Sequence, residues 1–133
     1  MLAPNQEPRL DHPAPIGAGP VLAEVTNAVV GLHSTHYGKG PTRSKSFLLD
    51  DVLVCVMRDV FTTVERTLVE AGEHDRVRET RLVFQDAMKD VFRQAIEEIT
   101  GREVIGVTSQ VLVEEDVAIE VFALREEPVS RAA

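Results

Sequence analysis

The chain has 133 residues and a formal net charge of −8, enough for one domain with its own core and no disulfide or metal staple. The acidic balance argues against nucleic acid as a partner, and a single cysteine excludes an intramolecular disulfide. No apolar run reaches the roughly 18 to 20 residues of a membrane span. Pro4, Pro8, Pro13, Pro15 and Pro20 interrupt any secretory signal core, so a cytoplasmic protein is expected.

Five of the seven prolines fall in residues 1–20, which cannot sustain a helix or central strand, so 1–18 reads as a flexible arm. Residues 126–133 read as a short flexible tail, leaving a single domain over 19–125. In 20–37, Val21, Val25, Ala28, Val29, Leu32 and His36 recur at three- and four-residue steps, predicting a helix that Gly38 ends in a left-handed turn. Phe47 and Leu49, the turn Asp50-Asp51, and Val52, Val54 and Val56 predict a β-hairpin. Cys55, inside the second strand, reads as a small buried hydrophobe.

Thr62 and Glu65 have the spacing of a capping box, opening a short helix that runs toward Gly72. A long helix follows over about 74–100, with Val77, Phe84, Met88, Val91, Phe92, Ala95 and Ile99 as its apolar stripe and Gly101 as its stop. Ile105, Val107, Val111 and Val113 then lead into Glu114-Glu115-Asp116. Val117, Ile119, Val121 and Ala123 return with period two, which puts Glu120 on the opposite face. The order αββααββ predicts an α+β fold: two hairpins joined in a four-stranded antiparallel sheet, with the helices packed on one face.

The most unusual stretch is 36–45, which carries Lys39, Arg43 and Lys45 and no acid inside an acidic chain. A local reversal of sign points to a bound anionic group. These three residues, with Arg58 nearby if the hairpin folds back, are the expected anion- or partner-binding set, read as an exposed loop after the first helix. Gly38-Lys39-Gly40-Pro41 is a poor phosphate loop, because it closes a helix rather than opening one. His33 and His36 share one helix surface but lack a third ligand nearby in sequence. Asp50-Asp51 and Glu114-Glu115-Asp116 would hold a divalent cation only if the two turns were neighbours, and they lack calcium-loop spacing. Arg76, Arg78, Arg81, Lys89 and Arg93, interleaved with acids on the long helix, read as a solvated face of internal ion pairs. No nucleophile–base set, metal tetrad or cofactor motif is assembled, so no catalytic residue, metal or cofactor is expected.

Tyr37-Gly38-Lys39-Gly40-Pro41 after the first helix, the Thr-x-x-Glu start and Ile96-Glu97-Glu98-Ile99-Thr100-Gly101 at the end of the long helix resemble one family. It is the group of small bacterial MpsC-like proteins, named for a component of the sodium-translocating, membrane-potential-generating system. The resemblance covers about 20–125. The chain departs from the family in its Pro-rich arm and in Thr63, where a Pro would follow the capping Thr. The resemblance implies association with an ion-translocating, inorganic-carbon-linked membrane system and supplies no catalytic residues.

The expected function is therefore a soluble, non-enzymatic accessory or regulatory module that docks on a membrane transporter or another protein. The alternative is a sensor of a small anion or nucleotide, bound between the sheet and the 38–45 loop. A homodimer through the long helix is also expected, because its apolar stripe outruns the sheet.

Overall fold

The computed structural model describes residues 18–127, so the expected arm, except Ala18, and most of the tail lie outside the described residues. Helix α1 is Ala18–Tyr37, strands β1 and β2 are Arg43–Leu49 and Val52–Arg58, and helices α2 and α3 are Thr63–Glu70 and His74–Thr100. Strands β3 (Val104–Leu112) and β4 (Val117–Leu124) complete the order. The four strands form one antiparallel sheet in the order β1-β2-β4-β3. This is the α+β fold that the sequence predicts.

Local chemistry explains the element ends. Gly38 takes φ 80° just past α1, where a side chain would strain the backbone. Asp50, at φ 53°, replaces the glycine missing from the β1–β2 turn, a conformation that Asp tolerates. The Thr62 side chain accepts from the Glu65 amide at 3.1 Å, and the Glu65 carboxylate accepts from the Thr62 amide at 2.9 Å. Gly101, at φ 70°, ends α3.

α1 and α3 pack on one face of the sheet, and α2 packs on α3. The register defines three rows on the helix-covered face: Leu48–Leu53–Phe122–Val107, Ser46–Cys55–Glu120–Ser109, and Ser44–Met57–Ala118–Val111. Leu53, Cys55, Met57, Ala118 and Phe122 are all but inaccessible there, against Val25 and Val29 of α1 and Phe92 and Ile96 of α3.

The regular apolar alternation lies on the other side. Phe47–Val54–Val121–Thr108, Lys45–Val56–Ile119–Gln110 and Leu49–Val52–Ala123–Gly106 are rows of the face turned away from the helices. Such a series ordinarily packs on a core. Here the core face is the one that carries Glu120, buried at 1% exposure.

α3 also differs from expectation. Its buried residues are Val77, Arg81, Gln85, Met88, Phe92 and Ile96, so Arg81 belongs to the core side and not to the solvated charged face. Val91, assigned to the stripe, is exposed. Because α1, α2 and β3 cover the buried stripe, it no longer supplies a reason for a dimer through this helix.

Candidate interaction surface

The four cations singled out by sequence do not behave alike. Lys39 turns inward: its Nζ donates to the Gly40 carbonyl at 3.0 Å and to the Asp59 carbonyl. It pins the turn after α1 to the end of β2, and its charge is spent on backbone. A Cβ at Gly40 beside it would require the exposed Ser34 hydroxyl to rotate away. Lys39 thus braces this turn and stands apart from Arg43, Lys45 and Arg58 of the expected contact set.

Arg43 and Lys45 lie on strand β1, not on a loop. With Arg58 they line one open groove of about 340 Å³, completed by Ser44, Phe47 and Val56. Arg43 sits directly across from Arg58 in the β1–β2 ladder. Like charges directly opposite in a ladder oppose pairing, and among the described residues none of the three cations has an ion-pair partner. Lys45 Nζ instead stands 5.3 Å from the Phe47 ring centroid. Residues 43–45 are part of the sheet, so the groove beside them lies on β1 and β2 and not between the sheet and a 38–45 loop.

Below the groove, the outer face continues as an apolar sheet surface. Phe47 and Leu49 are 40% and 64% exposed, and Val54, Val56, Ile119 and Val121 stand half-buried between their neighbours. The arrangement is a cationic corner on an apolar sheet face that no described helix covers, which suits a protein partner with acidic and apolar groups.

The other acidic and basic candidates are structural. Asp116 Oδ1 accepts from the Val60 and Phe61 amides at 2.7 and 3.0 Å, clasping the β3–β4 turn to the segment after β2. Asp59 accepts from Thr42 Oγ1. Asp51 pairs with Arg102 at 2.6 Å. The register puts the 50–51 and 114–116 turns at opposite ends of the sheet, so they cannot form one metal site.

Sequence reasoning missed a polar network under the sheet. Arg81 Nε and Nη2 donate to both Glu65 oxygens, at 2.6 and 2.7 Å, and Nη2 also reaches the Val60 carbonyl at 3.1 Å. Its guanidinium lies 4.0 Å from the Tyr37 ring centroid. Burial works to raise the Glu65 pKa, but the bonds from Arg81 and Thr62 outweigh it and hold the carboxylate below its ordinary range. One side chain therefore caps α2 and anchors α3. The missed signal was the spacing Val77-Arg81-Gln85-Met88, three- and four-residue steps along one face.

His33 and His36 part company as well. His36 is exposed, whereas His33 is buried, with Nδ1 donating to the Val29 carbonyl at 3.0 Å and Nε2 3.6 Å from Glu120. Burial lowers the His33 pKa to about 4, helped by Arg81 and opposed by the Val29 bond. Burial raises the Glu120 pKa to about 7, although the Ser109 hydroxyl and Arg81 favour the carboxylate. Between those two values the contact is a neutral imidazole facing a carboxylic acid and not an ion pair.

The fold and surface define a class: an α+β module whose sheet is covered by helices on one face and open, apolar and basic at one corner on the other. Residues 18–126 match the family described as Na+-translocating membrane potential-generating system (MpsC), and the chain belongs to that family. No match was found among curated proteins or among solved structures. No helix among the described residues is long and apolar enough to cross a membrane.

Proposed function

We propose that the chain is a soluble, non-enzymatic accessory or regulatory module of a membrane-associated ion or inorganic-carbon transport system. It works by protein–protein contact through the outer sheet face and its basic corner. The carrying observation is the Arg43–Arg58 cross-strand pair with Lys45 beside it. Three cations gathered at one end of an apolar face, in a chain of net charge −8, raise the cost of the free surface and are relieved when acidic groups meet them. Family membership supplies the kind of system.

The test is affinity purification of the tagged protein from gently solubilised native cells, with R43E/K45E/R58E beside the wild type. A polytopic membrane protein retained by the wild type and lost by the variant is the expected result, with thermal melting unchanged within a few degrees. Equal retention by both would remove the basic corner from the contact. No membrane component in either would overturn the accessory role.

A further inference from the structure

The outer sheet face measures roughly 20 Å by 25 Å from strand spacing and rise, about 500 Å² in projection. Side-chain relief carries the accessible area toward the ~800 Å² per partner of a specific interface. The apolar part of the face, Phe47, Leu49, Val52, Val54, Val56, Ile119 and Val121, is rimmed by Lys45, Thr108 and Gln110, and a contiguous apolar patch with a polar rim marks an interaction site. Within the strands, the charges of this face gather at one end. Arg43, Lys45 and Arg58 mark the β1–β2 corner, while the β3–β4 turn at the same end carries Glu114 and Glu115, exposed and without ion-pair partners among the described residues.

We propose that a second copy of this chain closes this face, the two sheets packed face to face about a twofold axis that runs along the strands. This rests on the reading of the face as a protein-contact surface and names its first partner. The symmetry carries the inference. Such an axis exchanges left and right of the sheet while keeping its two ends, so β1 of one copy lies over β3 of the other. The basic corner of each copy then meets the acidic turn of its partner, twice per dimer. Two antiparallel sheets with strands nearly aligned are an ordinary packing, and a twofold contact must be self-complementary in this way. An axis across the strands is worse. It would set Glu114 and Glu115 over an end whose Arg102 and Arg125 are already paired with Asp51 and Glu103, and it would offer the basic corner only Asp50, since Asp51 is engaged by Arg102.

Sedimentation velocity on purified protein, with no membrane component present, tests this. Wild type should sediment as a dimer, and R43E/K45E/R58E and E114K/E115K each as a folded monomer. Mixing those two variants should restore a one-to-one dimer, because each reversed corner then meets its reversed complement. Val121→Lys, which changes the middle of the face, should also give a monomer; if the triple variant does not fold, this variant and E114K/E115K decide. A monomeric wild type, a dimer that survives these changes, or a mixture that stays monomeric would overturn the proposal. A monomeric wild type that still captures a membrane component through Arg43, Lys45 and Arg58 would leave the accessory role standing. A dimer without such capture would do the reverse.

Discussion

The two faces of the sheet invert the usual division of labour. On β2 and β4 the outer face carries the unbroken series Val52, Val54, Val56 and Ile119, Val121, Ala123, yet none of the described helices covers it. The inner face, under α1 and α3, includes the row Ser46–Cys55–Glu120–Ser109. It tolerates these groups because each finds a polar neighbour: Thr26 Oγ1 of α1 meets Ser46 Oγ at 2.6 Å, and the Ser109 hydroxyl of β3 donates to Glu120. Alternation in a strand therefore reports that two faces differ, but the helices decide which one is inside.

The contrast between the faces is tested hardest by removing a group whose partner stays buried. Arg81→Met leaves the half-buried Glu65 carboxylate unpaired, and equilibrium denaturation should show a loss of about 3–5 kcal/mol. Replacing both residues by apolar ones should recover much of it. Next comes a matched pair on adjacent positions of β4. Phe122→Ala, on the inner face, should cost about 3–5 kcal/mol, whereas Val121→Thr, on the outer face, should change folding stability by about 1 kcal/mol or less. Similar losses for the two would mean that the outer face is as much a part of the folding core as the inner.

The subtlest effect is in pH. Glu120, raised from 4.5 to about 7, contributes stability that is complete below 4.5 and lost as pH rises through 7. His33, lowered from 6.5 to about 4, contributes stability present above 6.5 and lost as pH falls through 4. Between about 4.5 and 6.5 the opposing slopes cancel, since the folded pair and the unfolded pair each hold one proton. Thermal melting should be nearly independent of this pair there. Glu120→Gln should uncover a melting temperature that rises with pH across the window, and His33→Phe one that falls.

Much of the fold was legible in the residues because its signals are local. The capping box at Thr62 and Glu65, the left-handed glycines at 38 and 101, and both hairpins depend on neighbours in the chain. What was not legible depends on distant groups. Arg81 looks like a surface cation until Glu65 and Tyr37 are placed beside it. Lys39 looks free until Asp59 arrives, and Arg43 and Lys45 gain a common groove only when Arg58 is laid across from them. Glu120 is the extreme case, because a lone acid in an apolar strand reads as outward-facing and only His33 and Ser109 give it an interior.

The strand order also sets a timetable. At its centre β2 pairs with β4, with α2, α3 and β3 lying between them in the chain. Each hairpin can close quickly on local contacts, but the seam between them must await the closing of a long loop. During synthesis β2 therefore emerges with one edge unpaired and apolar side chains on both faces, and it stays so until β4 follows. The rate of folding, and the window in which this edge is open to aggregation, is governed by how soon the second hairpin reaches the first.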